Sequence, residues 1–238
     1  MSDSGENWNR AYVEAPEIFD AFSRAEDPDG LITRSVLKHA ALDGRRVLEI
    51  GCGTGRYTRE WAPCAASYLA LEKSPGMLQL ARRHCAGPTL GPDFICANAA
   101  AIPVRDDTVD RVLAGWVVIN LPPRLRTMAL RETARVLGRG PGAGLWLIEN
   151  HWSGEFQLLR GRRRDDESAR VRALIDRHGF SIVEVVHTEM RFPSTEEAER
   201  ILGRLCGEAV RRRLHENPVD RLTHHVVILH RPARSFVS

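Results

Sequence analysis

The stretch VLEIGCGTGRYT, Val47 to Thr58, decides how the rest of the chain is read. An apolar run closing on the acid Glu49 is followed by Gly51, Gly53 and Gly55 at alternate positions, and then by a helix-forming segment. Glycines at that spacing remove the Cβ atoms that would hold a ligand off the backbone, and open α/β sheets bind ligands at the carboxyl ends of their strands. The pattern predicts a nucleotide-like cofactor on the loop after the first strand. A second signal lies in YLALEKSPGML, where a strand closes on Glu72, twenty-one residues after Gly51. A carboxylate there can accept hydrogen bonds from both hydroxyls of a ribose. A dinucleotide fold would carry G-x-G-x-x-G. Here Arg56 stands where its third glycine falls, which disfavours an NAD-dependent oxidoreductase.

Outward from the loop, short apolar runs bounded by turn residues alternate with amphipathic stretches, the pattern of parallel strands joined by crossover helices. Strands are predicted at Arg46 to Ile50, Ser67 to Leu71, Asp93 to Ala97, Val109 to Trp116, Gly144 to Glu149, Ser181 to Met190 and Leu222 to His230. The last two are long enough to pair antiparallel. Helices are predicted near 56–64, 75–86, 124–137 and 166–178, the second opening on Ser74-Pro75, a cap followed by a first-turn proline. The expected architecture is a three-layer α/β/α sandwich around a mostly parallel seven-stranded sheet with an antiparallel last strand. Three segments lie outside this repeating unit, one of them HWSGEFQLLRGRRR at roughly 151–165. Residues 1–43 carry Trp8, Tyr12, Phe19 and Phe22 at helical spacing and read as a helical cap. A helix from Ser194 to about Leu214, with Ala198, Ile201, Leu202, Leu205 and Ala209 on one face, is inserted before the last strand as a lid.

With 238 residues, 43% hydrophobic and 27% charged, the chain has the balance of one globular domain: cap 1–43, cofactor-binding core 44–150, and C-terminal strands with their lid helix over 151–238. Its 34 Lys and Arg against 31 Asp and Glu give a formal charge of +3, too weak a field for a dedicated nucleic-acid binder. The basic run Arg160, Arg162, Arg163 and Arg164 is offset at once by Asp165, Asp166 and Glu167, and reads as a solvated face. Five scattered cysteines without a C-x-x-C pair argue against a disulfide framework and a zinc site. No window approaches 18 uninterrupted apolar residues, and the N-terminus has no signal-peptide pattern. These features lead us to expect a soluble, cytoplasmic monomer or homodimer, without metal, membrane or nucleic-acid partners.

From Val47 to Asn150 the sequence resembles class I S-adenosylmethionine-dependent methyltransferases, in particular the small-molecule group typified by ubiquinone-pathway enzymes. The resemblance rests on the E/DxGxGxG loop (Glu49, Gly51, Gly53, Gly55), on Glu72 with Lys73 to Leu78 after it, and on ANAAAIPVRDDTVDRV, which is similar to the family's GDAxxLPFxDxxFDxV segment. ETARVLGRGPGAGLWLIEN is similar to its helix, glycine turn and fifth strand. The resemblance implies a Rossmann-like fold and S-adenosylmethionine as cofactor. It implies Glu49 and the backbone of Gly51, Cys52, Gly53 and Gly55 at the methionine part, Glu72 and Lys73 at the ribose, and Asn98 and Ala99 at the adenine. Met77 would cover the adenine face, with Gly115 and Trp116 lining the pocket and Tyr12 reaching in from the cap. Where the family usually has Asp, this chain has Asn98, whose amide oxygen still accepts a hydrogen bond.

The expected reaction is in-line methyl transfer to a small-molecule acceptor. Where relatives often carry two histidines after the fourth strand, this chain has Ile119 and Asn120, so no proton acceptor carries over. His151, just past the fifth strand, is the candidate in its place. His224, His225 and His230 read as strand residues. Asn120-Leu121-Pro122-Pro123 falls short of the N-P-P-aromatic signature, and Pro63-Cys64 lies at the end of a helix where no nucleophile is expected. The rival readings are an RNA or protein methyltransferase and a non-catalytic cofactor-binding sensor or subunit.

Overall fold

Seven strands, β1 (Arg46–Ile50), β2 (Ser67–Glu72), β3 (Asp93–Cys96), β4 (Arg111–Gly115), β5 (Gly144–Asn150), β6 (Ser181–Arg191) and β7 (Arg221–Pro232), form one sheet in the order β3-β2-β1-β4-β5-β7-β6. The computed structural model describes residues 8, 10, 12–87, 91–161 and 164–236; Arg162 and Arg163 of the basic run lie outside them, as do residues 1–7, 9 and 11 of the cap. Strands β3, β2, β1, β4 and β5 are parallel, and β7 runs antiparallel to both β5 and β6. β1 is flanked by β2 and β4, and Val47, Leu48 and Ile50 are buried, as expected where both faces of a parallel sheet are covered. The strand order reverses between β1 and β4, so the glycine loop and Trp116 leave the sheet side by side at the switch point.

The helices are α1 (Pro16–Ala25), α2 (Leu31–Ala40), α3 (Arg56–Trp61), α4 (Pro75–His84), α5 (Pro123–Val136), α6 (Glu155–Leu159), α7 (Arg164–His178), α8 (Thr195–Cys206) and α9 (Glu208–Glu216). Local chemistry sets their ends. The Ser74 hydroxyl accepts from Met77 N to cap α4, and the Asp27 carboxylate accepts from Leu31 N and Ile32 N at 2.7 and 3.0 Å to start α2. Several boundaries differ from the sequence expectation. The predicted 56–64 helix gives way after Trp61 to a 3-10 turn, Ala62–Cys64, because Pro63 cannot donate to an α-helical ladder. β4 begins at Arg111, while Val109 forms an isolated bridge to Leu137, and the strand ends where Trp116 turns to φ 54°. The single lid helix is two helices, broken at Gly207 with φ 96° and ψ 174°.

α8 packs back on α9 at Gly203, where a Cβ would lie 2.9 Å from Arg211 Cβ. Ala198, Ile201, Leu202 and Leu205 of α8, Val210 and Leu214 of α9, Phe22 and Ala25 of α1, and Phe156 of α6 form one apolar cluster with Met190 and Leu222. The N-terminal cap and the C-terminal insertion are therefore a single lid, joined over the end of β6 and β7. Among the described residues, no helix is long and apolar enough to cross a membrane.

Candidate cofactor and acceptor site

The glycine loop is fixed by contacts that a side chain would break. Gly51 and Gly55 have φ of 75° and 81°; a Cβ on Gly51 would lie 2.3 Å from Val117 Cγ2, and one on Gly55 would lie 2.9 Å from Ala81 Cα. Left-handed backbone of this kind favours glycine. Between them, Gly53 N donates to Glu72 Oε2 at 3.1 Å, tying the loop to the end of β2. Glu72 is 1% exposed; its Oε1 accepts from Ser74 N at 2.7 Å, and its Oε2 also accepts from the Tyr12 hydroxyl at 2.5 Å. The donor set fits a ribose: a carboxylate oxygen that already receives a hydroxyl hydrogen, beside bare backbone at Gly53. A Cβ on Gly53 would meet Phe19 and the Tyr12 hydroxyl at 3.7 and 3.8 Å, so the cap closes directly over the loop. Burial and the neighbouring Glu72 charge push the Tyr12 phenol well above its ordinary value, which keeps it a donor.

Glu49 lies beneath the loop. Its Oε2 accepts from the hydroxyls of Thr58 at 2.5 Å and Tyr68 at 3.0 Å, which fastens α3 to β1 and β2. Burial pushes Glu49 up to about 7, against the pull of those two donors. Cys52 is buried on the same loop, and burial places its thiol far above the reactive range. Met77 is fully buried in the first turn of α4, Lys73 is exposed, and Gly115 is half-buried at the end of β4. Asn98 is exposed, and its Oδ1 accepts from Ala100 N at 2.9 Å in a local turn, beside buried Ala99. The structure thus brings Tyr12, Gly53 and Glu72 into direct contact and places Glu49 and Cys52 under them.

Trp116 stands at the β4 side of the switch point. Its ring stacks between Tyr57 and His224, with centroids 6.0 and 6.3 Å away, and its Nε1 donates to Asn150 Oδ1 at 3.0 Å. His224 Nε2 meets the same Asn150 oxygen at 2.9 Å. Alternation along β7 puts His224 on the face shared with Val226 and Ile228, and His225 on the other. His151 joins the His225 side: its Nδ1 lies 2.7 Å from Ser153 Oγ, which in turn lies 2.8 Å from His225 Nδ1. It is His224 that the structure brings to Asn150 and Trp116.

A latch from the cap completes this cluster. Arg56, first residue of α3, donates to the carbonyls of Ser23 and Asp27 and lies 3.6 Å from Glu26 Oε2. Glu26 Oε1 in turn faces His224 Nδ1 at 3.4 Å. No local pattern in the sequence marks Glu26 or Asn150, and His224 reads there as a strand residue. For His224 a signal was present, since it continues the inward parity of Leu222, Val226 and Ile228, a slot in which a histidine is out of place without a partner. Aromatic rings run from the ribose acid to this cluster: Tyr12 to Phe19 (4.9 Å), Phe19 to Phe22 (6.2 Å), Phe22 to Phe156 (5.8 Å) and Phe156 to His224 (5.2 Å).

Residues 47–140 match a family model described as a methyltransferase domain. An uncharacterized methyltransferase of Mycobacterium avium is 32% identical over 118 residues, which are 48% of this chain and 42% of that protein. A demethylmenaquinone methyltransferase of Renibacterium salmoninarum is 33% identical over 95 residues, 39% of this chain and 38% of the relative. The chain thus spans about half or less of the curated relatives it matches. Among solved structures, magnesium protoporphyrin IX methyltransferase from Synechocystis, with bound S-adenosylhomocysteine, superposes with a TM-score of 0.52 at 16% identity, covering 95% of this chain and 93% of that one. At that identity the likeness shows the fold.

Proposed function

We propose that this chain, whose residues 47–140 match a methyltransferase-domain model, is a class I S-adenosylmethionine-dependent methyltransferase that moves the methyl group of S-adenosylmethionine to a small-molecule acceptor by in-line displacement. When bound, that cofactor supplies an electrophilic methyl on a sulfonium. The work left to the chain is alignment and exclusion of water. Glu72 and Gly53 N would hold the ribose end, the Gly51 to Gly55 backbone the methionine end, and Asn98 and Ala99 the adenine. Trp116 and the ring series from Tyr12 to His224 would line the acceptor side, where an aromatic face also attracts a sulfonium.

The observation that carries the small-molecule reading is the lid. α1, α8 and α9 share one apolar cluster with α6 and close over the carboxyl edge of the sheet, the place where a polymer would need an open groove. The quinone in the name of the Renibacterium relative agrees with an apolar lid of this kind. The test is release of S-adenosylhomocysteine from the full chain supplied with S-adenosylmethionine and, separately, a small-molecule extract, total RNA or a protein pool. Turnover with the extract alone is expected. Turnover with RNA or protein would replace this reading, and binding of S-adenosylhomocysteine without turnover on any pool would make the chain a sensor.

A further inference from the structure

The protonation state of His224 follows from its neighbours. An indole N–H only donates, so the Asn150 atom 3.0 Å from Trp116 Nε1 is the amide oxygen. His224 Nε2 lies 2.9 Å from that oxygen and must carry a hydrogen itself. A neutral imidazole has one such hydrogen, so Nδ1 presents a bare lone pair. It presents it to Glu26 Oε1, 3.4 Å away, with the two side chains 0% and 6% exposed. A lone pair facing a carboxylate oxygen in a buried site repels. The arrangement is satisfied when one proton lies between the two atoms.

That one-proton gap sits where the reaction needs it. Trp116 follows β4 and Asn150 closes β5, so the gap lies buried beneath the carboxyl edge of the sheet, at the end of the aromatic series that begins on the ribose acid. The positions after β4 are used otherwise: Ile119 N donates to Glu149, and the Asn120 amide donates to the Trp116 carbonyl. We infer that Glu26 and His224 form the proton-accepting pair of the transfer, and hence that the acceptor is protic: a hydroxyl, amine or thiol. This rests on the methyltransferase reading above. The acceptor lone pair forms the bond to the methyl carbon, and the carbon–sulfur bond breaks with its electron pair left on sulfur. Once the gap has released its resting proton to solvent, the acceptor's X–H proton ends between His224 Nδ1 and Glu26 Oε1.

The groups that face the pair set its pH range. Asp27 and Tyr57 lie beside Glu26, Arg56 beside both members, and Arg160 and His225 beside His224. Burial pushes Glu26 up to about 8, against the opposing pull of Arg56, and holds His224 down at about 3. At neutral pH the shared proton therefore resides on Glu26, and the pair becomes able to accept another as pH rises through about 8.

Two measurements on the full chain test this. The first follows the His224 ring nitrogens by 15N NMR from pH 5 to 10 with S-adenosylhomocysteine bound. Nε2 should stay protonated throughout, while Nδ1 reports a single proton leaving the gap near pH 8, a step absent from Glu26→Gln. A hydrogen on Nδ1 with Nε2 bare, or no step between pH 6 and 10, would overturn the pair. The second uses phenol, aliphatic amine and thiol acceptors. For any that turns over, Glu26→Gln and His224→Gln should each lower kcat at least 100-fold and flatten the pH profile, with S-adenosylhomocysteine affinity kept within twofold. Turnover within threefold of the unmodified chain would overturn the proposal. If S-adenosylhomocysteine binds but no protic acceptor turns over, the small-molecule reading fails, and the NMR titration still decides whether the pair holds its proton.

Discussion

Around Glu72 the backbone contacts are short in sequence, Ser74 N lying two positions on and Gly53 N nineteen back, while the Tyr12 hydroxyl of the cap reaches in from 60 back. Around His224 the polar contacts are long, reaching Asn150 across 74 positions, while the neighbouring Asp27 of the cap reaches Thr188 across 161. The two ends of the site are therefore specified differently. The cofactor end is written into consecutive turns of chain, where glycine conformations leave few alternatives. The His224 end, the proposed acceptor end, exists only once the cap, β5 and β7 have assembled, and it joins the scaffold through buried polar groups.

The contrast is broken most severely at Gly55. Gly55→Ala imposes a side chain on φ 81° and a contact 2.9 Å from Ala81 Cα. Left-handed strain and overpacking together cost about 3 kcal/mol. Thermal denaturation should show a fall of about 6 to 12 °C for a chain of this size. An unchanged midpoint would mean that the loop is not held as described.

A smaller effect is expected at the lid, and it depends on pH. The folded-state value of Glu26 is raised from 4.5 to about 8, so between these limits the folded protein holds a proton that the unfolded chain releases. Stability from this group is present below about 4.5 and is lost as pH rises through about 8. Urea denaturation of Glu26→Gln against the unmodified chain at pH 6 and pH 9 should show the variant gaining relative stability at the higher pH. Parallel behaviour at both would remove Glu26 from the buried cluster.

The smallest effect sharpens the boundary between the two ends. The Tyr12 hydroxyl donates to the same Glu72 oxygen that a ribose hydroxyl would use, so cap and cofactor compete for it. Tyr12→Phe should bind S-adenosylhomocysteine at least about tenfold more tightly, from the lower end of the range of about 1.5 to 3 kcal/mol for one hydrogen bond to a charged group. Weaker binding would make Tyr12 a ligand of the cofactor and not its competitor.

Much of this was legible in the sequence, for reasons that differ by residue. Gly51, Gly53, Gly55 and Glu72 were readable because strand, loop and acid are constrained by local geometry at fixed spacing. The sheet strands were readable because apolar runs such as Val47 to Ile50 are buried on both faces. The break at Gly207 was not, since the apolar periodicity of Ala198 to Leu205 continues into Val210 and Leu214 and a lone glycine inside it is ambiguous. His151 drew attention through its position after β5, where Ser153 N donates to its Nδ1 at 3.2 Å, while the histidine that meets Asn150, Trp116 and Glu26 is His224. Those partners, Trp116, Asn150 and Glu26, come from three separate elements, and no local pattern brings them together.

The central claim is that Glu72 and the glycine loop hold S-adenosylmethionine. Its most direct test is calorimetric titration of S-adenosylhomocysteine, and of NAD, into the full chain and its Glu72→Ala and Glu72→Gln variants. Loss of two hydrogen bonds to a charged group, about 1.5 to 3 kcal/mol each, should weaken S-adenosylhomocysteine binding about 100-fold or more in Glu72→Ala and less in Glu72→Gln, with no NAD binding in any form. Equal affinity in all three forms, or preferential binding of NAD, would contradict it.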